Sequence, residues 1–284
     1  MKKQRRRGIL LLLPLYGFTI LFVAAPLLYL LGLSFGTRAE LWGVLPEFTV
    51  KNYLDILEPA YLKTFVSSLK LSLTVTVLTA ALGYPYGYFM ARLPGKWKKR
   101  KMLLLLIPFF TSSLLRLSGW IIFFRAGGPL DQLLQWIKVT EKPLRLLYTY
   151  AAVVVGMVYA LLPFMIFTVY SSAEKMDWGL LEAARDLGAG RVQAFFTVTW
   201  PLTLPGLLAG VILTFVPSMG LFYIADILGG NKVVLVGSII QEQLLKTHNW
   251  PFAAALSVVL MGLTTVLLSL YRHVAAQSAG EEIL

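Results

Sequence analysis

The sequence predicts an all-α polytopic membrane protein, and three observations carry that prediction. The 284 residues are 57% hydrophobic and only 14% charged, against about 25% charged in soluble domains. Mean hydropathy is +0.72. Several runs lack charge over the ~20 residues that a helix needs to cross a bilayer. The basic residues crowd beside those runs. A soluble protein of this composition would lack the polar surface to cover its core. The hydrophobicity excludes disorder. The absence of cysteine excludes a disulfide-stapled secreted domain.

In chain order, the expected spans are 9–34, 66–91, 102–124, 149–172, 201–226 and 251–272. The first follows a basic stretch, but its apolar run exceeds the ~7–15 residues of a signal-peptide core, so an uncleaved helix is expected. The second carries Lys70 at its outer end, a position suited to snorkelling. The third contains one charge, Arg116, and the fifth ends on Asp226. The fourth contains Pro163, and the sixth contains no acidic residue. No internal repeat is evident, so 1–284 is read as a single transmembrane domain.

Orientation follows from the basic clusters. Lys2, Lys3, Arg5, Arg6 and Arg7 form one, and Arg92, Lys96, Lys98, Lys99, Arg100 and Lys101 form the other. Short clusters beside apolar runs obey the positive-inside rule, so both termini are expected to be cytoplasmic. The net charge of +12 is therefore not a nucleic-acid footprint, since no basic stripe is interleaved with aromatics. The outside loops carry Trp42, Tyr53, Tyr61, Trp136, Tyr148 and Trp250, which suit an interfacial aromatic belt. Leu130, Leu133, Leu134 and Ile137 recur at helical spacing and suggest a short amphipathic helix over 129–138, lying on the outer surface.

The sequence has no GxxxxGK[ST] loop for ATP. His248 and His273 lack metal-ligand spacing. No thiol and no Ser/His/Asp set is present. The chain is read as a non-enzyme. If it moves a solute uphill, the energy comes from a partner or an ion gradient.

The loop 173–200 is the most informative stretch. Asp177 is placed to cap a helix, Leu180, Leu181, Ala184 and Leu187 share a face, and Gly188 and Gly190 are placed to end it. A second helical stretch follows at 191–200. A short helix with an apolar face fits a groove on another protein. Periodicity alone is equally consistent with a helix lying on lipid.

Glu182-Ala183-Ala184, three residues, Gly188, nine residues and then Val198-Thr199-Trp200-Pro201 resemble the EAA loop of ABC importer permeases, EAA-x3-G-x9-I-x-L-P. Val198 and Trp200 depart from the pattern, while Glu182, Gly188 and Pro201 keep it. The similarity runs along nearly the whole chain. Within this family the chain is most like the first permease subunit of spermidine/putrescine importers. The stretches that carry this run from Ala80 to Pro85, Pro108 to Arg116, Tyr159 to Met165, Leu181 to Ala189, Pro217 to Tyr223 and Asn249 to Phe252. The resemblance implies an ABC type I importer permease fold in a bacterial inner membrane. It implies that Glu182, Ala183, Ala184, Arg185, Asp186 and Gly188 form the helix that docks into the ATPase. It further implies a second permease in a heterodimer, two ATP-binding subunits and an external polyamine-binding protein. ATP and Mg would then sit on the partner ATPases, and this chain would bind no cofactor or metal.

A polyamine would be held by carboxylates and by aromatic faces through cation–π attraction. Intramembrane ionisable residues are the first candidates. Phe222, Tyr223 and Asp226 can share one side of the fifth helix near its outer end, although an ordinary helix-end Asp beside lipid-facing aromatics has the same pattern. Tyr159 and Phe164 flank Pro163 and suit either the pathway or packing against the partner. Trp120 suits core or interface better than ligand. Pro217 and Gly220 loosen the fifth helix and suit a gate hinge. Arg116 has the wrong charge for a cation, but a pair with Asp226 would make a gate element, and snorkelling is the other reading. Besides a non-transporting membrane scaffold, which would not need the acidic and aromatic face, two alternatives stand beside the polyamine reading. One is a permease of the same superfamily for sulfate, iron or a sugar. The other is a gradient-driven secondary transporter, against which the missing repeat and the EAA spacing weigh.

Overall fold

The computed structural model describes residues 14, 16–39, 43–140 and 143–280, with side chains through 269. The basic N-terminal cluster and Trp42 lie outside the described residues. The described chain is almost entirely helical, as expected of a membrane-spanning α-protein. The helices are α1 (Tyr16–Leu33), α2 (Lys51–Ile56), α3 (Pro59–Ala91), α4 (Gly95–Leu106), α5 (Ser113–Phe124), α6 (Pro129–Trp136) and α7 (Tyr150–Glu174). They continue with α8 (Trp178–Asp186), α9 (Arg191–Gly220), α10 (Phe222–Gly229), α11 (Val236–Leu245) and α12 (Trp250–Gly280). Five of these, α1, α3, α7, α9 and α12, are long and apolar enough to cross a membrane alone. A sixth crossing results if α4 and α5–α6 are taken as one broken span.

That broken span differs from the continuous helix expected over 102–124. The chain turns by 93° between α4 and α5. Pro108 lacks an N–H and tightens the end of α4 into a 3₁₀ turn at Ile107–Phe110. Thr111 and Ser112 are extended, and Ser112 starts α5. Counting charge-free residues measures transfer into lipid, and it is blind to such a corner.

The described residues fall into two compact units, one from within 1–62 and 239–263 and one from within 63–238 and 264–280. In the first, Asn52 Nδ2 donates to the carbonyls of Ser34 and Gly36 at 2.9 Å each. Ser34 Oγ meets Tyr53 Oη at 2.6 Å. These bonds fold the end of α1 onto α2. A two-residue hairpin, β1 (Thr37–Arg38) and β2 (Val44–Leu45), lies between them. Asn249 Oδ1 accepts from Phe252 N–H and caps α12.

In the second unit, α7 packs most extensively on α9 and also contacts α3. Both seams are made of glycine pairs four residues apart. Gly83 and Gly87 of α3 face Met165, Ile166 and Val169, and Gly206 and Gly210 of α9 face Thr168, Ser172 and Met165. Small residues at this spacing let helix backbones approach closely. The apolar core nearby joins α3, α5, α7 and α10 through Leu71, Val75, Leu117, Phe124, Met157, Ile224 and Leu228.

α6 departs from the expected apolar face of Leu130, Leu133, Leu134 and Ile137. Leu130 and Leu134 are half-buried, while Leu133 and Ile137 are exposed. The fully buried member of this helix is Asp131. Its carboxylate accepts the backbone N–H of Leu144 at 2.9 Å and of Gly127 at 2.8 Å. A buried acid that satisfies two backbone donors turns the helix about its axis.

Candidate functional site

The loop between α7 and α9 folds as its local chemistry dictates. Asp177 accepts from Gly179 N–H at 2.9 Å and starts α8. Gly188, at φ +92°, ends it in a conformation that side chains disfavour. Gly190 has an ordinary φ and instead begins the following helix. The apolar face splits. Leu181 is buried against the chain itself, Ala184 is half-buried, and Leu187 is 89% exposed. Glu182, Ala183, Arg185, Asp186 and Gly188 are exposed. Val192 and Phe196 extend the outward apolar surface.

α8 is held to the end of α3 by aromatic stacking. The Arg92 guanidinium lies 4.7 Å from the Tyr88 ring centre and 5.0 Å from that of Trp178. Beside it, Arg92, Trp178, Glu182 and Arg185 line a pocket of about 370 Å³. The first turns of α9 include a π-helical stretch at Phe195–Thr199. The ring of Phe195 meets Tyr84 and Tyr88 edge-on. Trp200, the departure from the family pattern, is half-buried against Tyr84 at 5.4 Å. Tyr84 in turn bonds its hydroxyl to Thr203 at 2.8 Å. The larger side chain thus occupies a cluster that its neighbours build for it. At the end of α7, Lys98 Nζ donates to Glu174 Oε1 at 2.9 Å.

The pathway candidates separate into three places. Phe222, Tyr223 and Asp226 lie on α10, a helix distinct from α9, which corrects the expectation of one continuous fifth helix. Leu221 breaks the helix with ψ near 51°. Pro217 and Gly220, the hinge candidates, stand just before this break, and both are exposed. A proline that cannot donate and a glycine with no side chain to pack leave that turn weakly defined. Asp226 is half-buried and accepts from Ser238 Oγ at 2.9 Å. Phe222 faces Gly237.

Tyr223 packs on the apolar core, as does Trp120. Trp120 and Tyr159 meet edge-on at 5.3 Å. Phe164 is elsewhere, 41% exposed and edge-on to Phe109. Arg116 lies over that same Phe109 ring and donates to Ser113 Oγ at 2.9 Å. The Arg116–Asp226 pair does not form, because each group is engaged within its own neighbourhood. Among the described residues the one ion pair is Lys98–Glu174. Sequence reasoning also passed over Gly83, Gly87, Gly206 and Gly210, whose four-residue spacing in apolar runs was the available signal. Ser72 and Thr76, buried on α3 with no hydrogen bond among the described residues, gave no such signal.

Residues 83–278 match the family described as the binding-protein-dependent transport system inner membrane component. The chain is 42% identical to the spermidine/putrescine transport system permease protein PotB of Escherichia coli (strain K12), covering 92% of this chain and 95% of that protein. It is 41% identical to the PotB protein of Haemophilus influenzae (strain ATCC 51907 / DSM 11121 / KW20 / Rd), covering 90% of each. Among solved structures, a chain of a bacterial alginate ABC transporter, crystallised with an alginate pentasaccharide-bound periplasmic protein, superposes with a TM-score of 0.74 at 16% identity, covering 97% of this chain and 96% of that one.

Proposed function

Because this chain belongs to the family of binding-protein-dependent transport system inner membrane components, we propose that it is a permease subunit of an ABC importer for polyamines of the spermidine/putrescine class. The observation that carries the reading is the 42% identity to a spermidine/putrescine permease along 92% of the chain. It forms half of the translocation pathway, and a second permease completes it. Both termini and the 173–200 loop face the cytoplasm.

α8 is the piece that docks into an ATP-binding subunit. Its exposed Glu182, Ala183, Arg185 and Asp186, and the outward Leu187, supply a mixed apolar and charged surface of the kind that seats in a groove. Leu181, Trp178 and Arg92 anchor the opposite side to the permease itself. ATP and its Mg sit on the partner subunits, whose closure pushes α8, and the permease pair then opens outward to an external polyamine-binding protein.

For the solute, Asp226 supplies a half-buried carboxylate with one hydroxyl donor and no cationic partner among the described residues. An ammonium beside it would complete the charge balance. Trp120, Tyr159 and Tyr223 supply aromatic faces near the same core. The test is ATPase activity of the co-purified complex in lipid nanodiscs, with its binding protein, over a panel of solutes. Stimulation by spermidine or putrescine alone is expected. Stimulation only by sulfate, iron or a sugar would discard the polyamine assignment, and failure to co-purify with any ATPase would discard the docking role of α8.

A further inference from the structure

Three lysines converge at the end of α3 that is remote from the 92–101 basic cluster. Lys63 and Lys70 stand on one face of α3, about 10 Å apart along its axis. Lys232 comes from the segment between α10 and α11. With Ser67, Thr149 and Tyr150 they line a pocket of about 590 Å³. No described carboxylate lines it, and none of the three lysines forms an ion pair among the described residues. Uncompensated positive charge in one recess calls for an anion.

The recess is built on fixed backbone. Tyr148 N–H donates to the Leu228 carbonyl at 2.9 Å. Ser68 Oγ accepts from Val236 N–H at 3.0 Å and ties the Lys232 segment to α3. Gly230 takes φ +57° against the Tyr148 ring, where any side chain would collide. The three lysine positions are therefore set by buried contacts of separate elements.

The same face of α3 continues into the apolar span. Val66, Leu73 and Val77 follow Lys63 and Lys70 at helical spacing, and all three are exposed, Leu73 at 59%. A cationic recess above an apolar strip matches an amphiphile with an anionic head. A polycationic solute would be repelled from it. We infer that this pocket binds the phosphodiester headgroup of an anionic phospholipid such as phosphatidylglycerol, with an acyl chain laid along Val66, Leu73 and Val77.

The test is native mass spectrometry of the full chain, with whatever subunits co-purify in zwitterionic detergent. Phosphatidylglycerol and phosphatidylcholine of identical acyl chains are the probes. The wild-type protein should retain phosphatidylglycerol about tenfold over phosphatidylcholine, consistent with basic residues drawing anionic lipid. K63Q/K70Q/K232Q should bring the two to parity, and K63R/K70R/K232R should keep the preference. Parity in the wild type, or an unchanged preference in the glutamine variant, would overturn the inference. Complete displacement by millimolar inorganic phosphate would reduce the pocket to a free-anion site and overturn the lipid assignment. ATPase stimulation by the binding protein is also measured in pure phosphatidylcholine nanodiscs. The glutamine variant should match wild type there, and a loss would reassign the lysines to protein docking.

Discussion

Adding one methyl group to Gly87 should destabilise the protein more than adding one to Gly210. A Cβ at Gly87 would lie 2.8 Å from the Ile166 carbonyl oxygen, 3.1 Å from Val169 Cβ and 3.2 Å from Tyr170 N. Two of those atoms are helix backbone, which cannot step aside. α3 and α7 must then separate by about 0.5 Å, and each facing atom pair forfeits about a quarter of a well of ~0.1–0.2 kcal/mol. Over roughly thirty such pairs the loss approaches ~1 kcal/mol, and residual overpacking brings it to ~1–3 kcal/mol. A Cβ at Gly210 meets chiefly the Met165 and Thr168 side chains. The Met165 thioether and the Thr168 hydroxyl are side-chain ends that can shift without parting the helices, so the expected cost is near the ~1 kcal/mol end of overpacking. Gly220 has nothing within 4 Å of a Cβ, so Gly220→Ala should be neutral or stabilising by up to ~1 kcal/mol. The assay is the unfolding midpoint of the purified chain in mixed micelles, titrated with a denaturing detergent and read by tryptophan fluorescence. Equal midpoints for Gly87→Ala and Gly210→Ala would refute the claim that rigid backbone contact sets the cost.

Other outcomes follow from the site. Asp226→Asn should cut polyamine uptake at limiting substrate by roughly 10- to 100-fold, the worth of a charged hydrogen bond, with expression and assembly intact; uptake equal to wild type would remove Asp226 from the pathway. Leu187→Glu should lower recovery of the ATP-binding subunit by at least about tenfold, since a buried leucine contributes ~1.5–3 kcal/mol; undiminished pull-down would show that this residue stays in solvent. Arg92→Gln removes two exposed cation–π contacts of ~0.5–1 kcal/mol each, so solute moved per ATP hydrolysed should fall several-fold, and an unaltered ratio would show that the stack is not part of coupling. Asp131→Ala leaves the Leu144 and Gly127 N–H groups without their acceptor. Hydrogen exchange at those amides should therefore rise while exchange in α7 stays slow. Protection equal to wild type would mean that other groups hold the loop.

What the sequence revealed was mainly local. Asp177 capping α8 and Gly188 ending it depend on residues within one turn, so their chemistry could be read directly. The long charge-free runs reported helices because transfer into lipid depends on composition over about twenty residues. Composition carries no backbone direction, so the corner at Thr111–Ser112 and the break at Leu221 were hidden inside apolar stretches, although Pro108 and Pro217 marked both places. Partners far apart along the chain were least legible. Asp226 was recognised as a candidate, but its bond to Ser238 depends on how α10 meets α11. Alone in the sequence, Lys70 suits snorkelling, because Lys63 and Lys232 come beside it only after folding. The glycine pairs were visible as spacing and were passed over.

The contact of Arg92 with both the Tyr88 and Trp178 rings has a mechanical consequence. Attraction to a ring face weakens as the ion is lifted away, whereas sideways travel across the face keeps much of it. The joint therefore behaves as a sliding bearing, stiff to pulling and compliant to shear. α8 can skid over the end of α3 when a docked partner moves along the rings, and still drag that end along when the motion turns perpendicular to them.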